Sequence, residues 1–207
     1  CQAELANYDG DSEGTINVVQ GIKLSDGTSL TAAQVTAWVA GATAGASITT
    51  SNTGMKYVGA VDVVDRMTKS EMESAVGDGE FIFKVDSAQN VTAVYDINSL
   101  TTITPEKGKM FTKNRVIRTI DNIANDITSI FESNYVGKVN NNEDGRALLK
   151  GALADYFATL QNMSAIQNFD TDDLTVVAGA DSDAVVVTAA IQPVDSVEKI
   201  YITVNLS

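Results

Sequence analysis

Residues 113–134 read KNRVIRTIDNIANDITSIFESN. Val116, Ile117, Ile120, Ile123, Ala124, Ile127, Ile130 and Phe131 recur at steps of three and four, so one helical face is apolar. The spacing predicts a long helix over 113–134. A polar connection follows, GKVNNNEDG (137–145), in which Asn142 suits the N-cap of a second helix over 143–162. Leu149, Ala152, Leu153, Tyr156, Phe157 and Leu160 form its apolar stripe. The remainder reads as strands. LTVVA (174–178) and AVVVTAAI (184–191) flank a turn at GADSD, and VEKIYITVNL (197–206) follows PVDS. Two long helices on an antiparallel or mixed sheet make the second half α+β.

The first half has a different grain. A strand is expected at 15–20, then a turn at Asp26-Gly27. Thr31 with Gln34, and Thr68 with Glu71, are capping-box pairs that predict helices over 32–42 and 69–76. The glycines of GATAGAS (41–47) read as the close of the first helix, packed tightly on a neighbour, and GDG (77–79) stops the second. MKYVGAVDVV (55–64) reads as extended and mostly buried. EFIFKV (80–85) and VTAVYDI (91–97) read as a hairpin turning at 86–90. Residues 98–112 are linker-like, and the composition changes near Pro105.

Composition excludes several functions. The 207-residue chain carries 27 acidic and 14 basic residues, a net charge of −13. Such a surface repels nucleic acid and anionic membranes. No stretch is long and apolar enough to span a bilayer, and no signal-peptide pattern is visible. Cys1 is the single cysteine, which excludes an internal disulfide and a Cys-cluster zinc site; in first position it also matches the lipid-bearing residue of a lipoprotein. Histidine is absent, so Ser-His-Asp and Cys-His chemistry are impossible within these residues.

Three features invite a chemical reading. DGDSEG (9–14) imitates the start of a calcium loop, but its twelfth position is Gln20 instead of a bidentate glutamate. Asp172, Asp173, Asp181 and Asp183 flank one short strand and could serve a metal-assisted hydrolase, although loop aspartates are ordinarily turn formers. Lys107, Lys109, Lys113, Arg115 and Arg118 lie within twelve residues at the start of the long helix, where the helix dipole disfavours cations. They read either as a solvated helix start or as a contact for an acidic partner.

The chain's last residues pose a question of pairing. From Ile200 onward apolar and polar residues alternate to the end. A strand of that kind must be satisfied, either in its own sheet after a tight return at PVDS or against another molecule.

Five segments carry a family resemblance. TPEKGKMFTKNRVIRTIDNIANDI (104–127), YVGKVNNNEDGRALLKGALADYF (135–157), SAIQNF (164–169), IQPVDSVEKIYITV (191–204) and VVQGIKLSDGTSLTAAQVTAWVAGATAGA (18–46) together resemble contractile phage tail sheath proteins. The type is that of prophages and phage-tail-like bacteriocins. The resemblance implies a structural subunit without catalysis or cofactor, whose full chains carry a further N-terminal half. Residues 1–102 would be the end of a middle α/β domain, subtilisin-like in shape only. Residues 103–207 would be an inner, tube-facing domain. Partners implied are other copies of the chain, the tail tube and the baseplate, in a particle assembled in the bacterial cytoplasm, with no nucleic acid and no membrane insertion. Termini of this family cross to neighbouring subunits and complete shared sheets. Carried over, the donated strand would hold Val197, Lys199, Ile200, Tyr201, Ile202, Thr203, Val204 and Leu206, with Pro193, Val194, Asp195 and Ser196 as its hinge. The resemblance does not single out the tube contact; the cationic helix start at Lys113, Arg115 and Arg118 is the candidate.

Overall fold

Two capping boxes start the first two helices at the expected residues. Thr31 Oγ1 accepts from the Gln34 amide and the Gln34 side chain accepts from the Thr31 amide, opening α1 (Ala32–Gly45). Thr68 and Glu71 do the same for α2 (Lys69–Gly77). Each box satisfies donors that a helix start would otherwise leave unpaired. A computed structural model of the chain describes residues 2–5, 10–200 and 203. It divides into two units: residues up to Ile117 together with those from Asp195 onward, and Arg118–Val194.

In the first unit, β1 (Gln2–Leu5), β2 (Thr15–Val18) and β6 (Glu80–Phe81) form a parallel sheet with β2 central. All four residues of β2 are buried, as a central parallel strand requires. β3 (Ile22–Leu24) lies between β4 (Ser29–Leu30) and β5 (Ala60–Val63) in an antiparallel sheet. β7 (Phe83–Val85) and β8 (Val91–Ala93) are a hairpin whose turn Asp86 closes: its amide donates to the Asn90 carbonyl and its Oδ1 accepts from the Asn90 amide, both at 2.8 Å. Ile16, Val18, Ile22, Val35, Val39, Phe81 and Phe83 form the core, with Trp38 packed against it.

Four expectations change here. EFIFKV is two strands, not one: β6 joins the parallel sheet and β7 the hairpin, and the chain switches at the fully buried Ile82. Gln20 makes the switch possible. Its Oε1 accepts from the Phe83 amide at 2.8 Å and its Nε2 donates to the Asp65 carbonyl at 3.2 Å, replacing ladder bonds that the break removes. For the same reason β2 ends at Val18 and not at Gln20. Of residues 55–64 only Ala60–Val63 is a strand; residues 55–57 instead run along β8 through an isolated bridge at Lys56 and backbone bonds to Val91 and Ala93, with Tyr57 buried and Met55 and Val58 exposed. Finally, the glycines of GATAGAS lie inside α1, and a Cβ placed on Gly41 or Gly45 meets nothing within 4 Å. They are not sites of close packing. Gly41→Ala is therefore expected to stabilise the first unit by about 0.5–1 kcal/mol, read as a raised urea midpoint. Gly79 is the opposite case: φ is +73° and an added Cβ would sit 2.9 Å from the Ser99 carbonyl oxygen. Gly79→Ala is expected to destabilise by about 2 kcal/mol or more in the same assay.

The division between units falls within α3 (Asn114–Asn134). In the second unit α4 (Glu143–Asn162) begins at Asn142, whose side chain accepts from the Gly145 amide at 2.9 Å. Its buried stripe is Leu149, Leu153, Phe157 and Leu160. α4 packs on β9 (Ile166–Gln167) and β10 (Leu174–Ala178). β10 pairs with β11 (Val185–Ala189), and β9 with β12 (Gln192–Pro193), both antiparallel. The helices are tied where the Tyr156 hydroxyl donates to Asp126 Oδ2 at 2.8 Å. Burial first, then that carboxylate, pushes the Tyr156 phenol far above its ordinary range. The α+β class holds, with α4 on short antiparallel sheets instead of one broad sheet.

Candidate functional site

Within this single chain the described part of the terminal segment pairs with no strand. Asp195–Ile200 and Thr203 belong to no strand, and Val197 and Ile200 are 89% and 76% exposed. Tyr201, Ile202, Val204 and Leu206 lie outside the described residues, as does Cys1. Among the described residues, Val197–Ile200 pairs with no strand. The ladder of β12 with β9 stops after Val194, whose amide donates to the Ala165 carbonyl at 3.0 Å. Of the four expected hinge residues, Pro193 and Val194 adjoin that ladder, Asp195 follows it, and Ser196 Oγ accepts from Arg115.

Arg115 belongs to a polar seat within the first unit. Three segments build it: the turn Ser51–Thr53, the stretch Tyr95–Ser99 after β8, and Lys113–Arg115 where α3 begins. Asp96, 1% exposed, is the keystone. Its Oδ2 accepts from the Asn52 amide and its Oδ1 from Asn114 Nδ2, each at 2.9 Å. Asn114 Nδ2 also donates to the Ile97 carbonyl at 2.9 Å. The Asp96 amide donates to Thr53 Oγ1 at 2.8 Å, which aims the Thr53 hydroxyl outward.

Glu198 enters this seat. Its Oε1 accepts from Thr53 Oγ1 at 2.6 Å and Ser51 Oγ at 2.9 Å, and its Oε2 pairs with the Lys113 ammonium. The Glu198 side chain is only 6% exposed. Lys113 and Lys199 both lie over the Tyr95 ring, 5.2 and 5.5 Å from its centroid. Arg115 donates to Ser196 Oγ at 2.6 Å. Burial pushes the Glu198 carboxyl up, but the Lys113 ammonium and the Thr53 and Ser51 hydroxyls outweigh burial, and the net displacement is downward.

This placement predicts a pH dependence. A carboxyl whose seated pKa is depressed stabilises the seated state fully above its ordinary value of 4.5 and loses that contribution as pH falls through the lower, seated value. The groups around it are Lys113, Lys199, Tyr95 and, one layer below, Asp96 and Arg115. Carboxyl chemical shifts of glutamate-labelled protein, assigned with Glu198→Gln, are expected to give a midpoint below 4.5. A midpoint above it contradicts the ion-paired geometry.

The other sequence candidates are dispersed. The cationic run is not one exposed face: Lys107 pairs with Glu13, Lys113 with Glu198, Arg115 and Arg118 are buried, and Lys109 is exposed. In the calcium-like loop, Asp11 Oδ1 accepts from the amides of Thr101 (2.6 Å) and Thr102 (3.2 Å), and Gln20 is a buried strand-switch residue. Asp173 accepts from the Asp170 amide at 2.9 Å, a turn-forming bond, and Asp172, Asp181 and Asp183 are exposed. Among the described residues no group of three acidic, Cys or His residues is placed to hold a metal ion. Sequence reasoning missed Glu198, Ser51, Thr53 and Asp96. One signal existed: Glu198 is the single acid between Ser196 and Ser207.

Comparison with known proteins completes the description. Residues 1–99 match the family defined as the phage tail sheath protein central domain, and residues 106–207 match the phage tail sheath C-terminal domain. The phage-like element PBSX protein XkdK of Bacillus subtilis is 40% identical over all of this chain and 46% of its own length. The crystal structure of the sheath tail protein from Desulfitobacterium hafniense superposes with a TM-score of 0.86 at 49% identity, over 97% of this chain and 47% of that one. The anti-feeding prophage helical sheath in its contracted state shares the fold, with a TM-score of 0.77 at 14% identity, over 99% of this chain and 61% of that one. The chain thus spans about half the length of the curated relatives it matches.

Proposed function

Because this chain belongs to the phage tail sheath family, we propose that it forms the C-terminal part of a subunit that polymerises around a tail tube, docks on a baseplate and contracts during delivery. The role is structural, not catalytic. Residues 1–102 supply the end of the middle domain and 103–207 the inner domain. The particle is a phage or tailocin tail assembled in the bacterial cytoplasm, and its partners are further copies of the chain, the tube protein and the baseplate.

One observation carries the assembly reading. Val197–Ile200 has no ladder partner among the described residues, yet it presents exposed Val197 and Ile200. A chain end that starts this way and continues in period-two alternation is suited to pairing with a neighbouring copy. An acceptor of the right kind exists. β10 and β11 form a sheet of two strands only among the described residues, and the cross-strand pair Val177 and Val186 is about half exposed on its outer face. Added strands would satisfy such edges.

The test uses the full-length parent, intact and with residues 194–207 deleted, under salt and crowding conditions that favour assembly. Electron microscopy is expected to show regular tubes from the intact chain and free subunits from the deletion. Tubes from both would keep the sheath role and remove strand donation. Tubes from neither would leave the relationship one of fold alone.

A further inference from the structure

The terminal segment follows the second unit in sequence, but its described side-chain bonds go to the first. The bonds are few and strong. Glu198 brings a nearly buried carboxylate to two hydroxyls and an ammonium, and Ser196 takes a buried guanidinium. Charge-assisted bonds of this kind hold geometry better than neutral ones. Between and beyond them Val197, Lys199 and Ile200 are exposed, with the Lys199 ammonium over the Tyr95 ring. An end segment without a ladder ordinarily frays. Here two side chains two residues apart face inward, and the alternate residues face out.

We propose that Glu198, seconded by Ser196, is a mooring that fixes the root of the C-terminal strand to the unit containing residues up to Ile117. The strand then departs from a set point at Lys199–Ile200, and Asp195 is the one residue between the mooring at Ser196 and the backbone bond that Val194 makes to Ala165. The mooring deepens the sheath reading by naming the body that carries the connector. It also behaves as a latch. Withdrawing Glu198 leaves the Lys113 ammonium, 17% exposed, without its carboxylate, so release of the segment is disfavoured.

The experiment places a nitroxide on Val197→Cys in the full-length subunit, with Cys1→Ser, kept dilute and unassembled. Val197 is exposed enough to accept the label without disturbing the seat. With Glu198 intact, a restricted spectrum is expected. Glu198→Ala is expected to shorten the correlation time at least fivefold, to that of a free chain end, while the thermal unfolding midpoint falls little. Ser196→Ala is expected to shorten it less. A fast spectrum with Glu198 intact overturns the mooring, and so does a spectrum that Glu198→Ala leaves unchanged. The measurement needs no assembly. A subunit that forms no tubes but keeps the restricted spectrum retains the mooring and loses only the sheath role.

Discussion

Replacing Phe83 with alanine is expected to cost the first unit about 3–5 kcal/mol. Phe83 is 1% exposed at the centre of an aromatic cluster. Its ring meets Trp38, Tyr57 and Phe81 edge-on, at centroid separations of 5.7, 6.0 and 5.5 Å. Trp38 and Tyr57 stack at 4.6 Å above it. Truncation removes the buried area of the ring and leaves a cavity that three rigid neighbours cannot close. Phe83→Leu keeps more volume and is expected to cost clearly less. Trp38 is the only tryptophan, so its fluorescence in urea reads this unit directly. A cost below about 1 kcal/mol would mean that the cluster collapses onto the gap and that Phe83 is not its centre.

Asp96→Ala is expected to cost about 3 kcal/mol in the same assay, for a different reason. It removes no large volume. It leaves the Asn52 amide and the Asn114 carboxamide donors buried without the carboxylate that now accepts from both. Asn114 is fully buried and opens α3, so its misplacement disturbs that helix start. Asp96→Asn is expected to cost less, because one oxygen remains and only one donor meets another donor. The alanine variant should also loosen the terminal segment. Thr53 Oγ1 accepts from the Asp96 amide and donates to Glu198, so the turn that Asp96 fixes is the turn that holds the mooring. A destabilised Asp96→Ala subunit whose Val197 label stays restricted would separate the two networks.

Legibility followed the range of the interactions. The starts of α1, α2 and α4 were readable because each cap reaches only three residues: Thr31 to Gln34, Thr68 to Glu71, Asn142 to Gly145. Both ends of α4 fell where the apolar period and the polar flanks placed them. The break in EFIFKV was not readable, since period and propensity run through it unbroken. The break depends on a side chain 63 residues away, Gln20, that accepts a strand's amide. The cationic run was misleading in the same way. Five neighbours in sequence look like one patch, yet Lys107 and Lys113 find carboxylates 94 and 85 residues distant.

The sequence by itself determined the helices, their caps, the α+β class and the family, because each rests on local periodicity or on ordered motifs. It also determined that the last residues favour extended chain. Only the tertiary structure decided where that chain is held. Glu198 lies just before the alternating stretch, in the register of its apolar positions, and its partners Ser51, Thr53 and Lys113 lie 147, 145 and 85 residues away. Alternation states which side of a strand faces in. It carries no information about what waits there, and a carboxylate becomes an anchor only when folding has gathered its donors and removed the water between them.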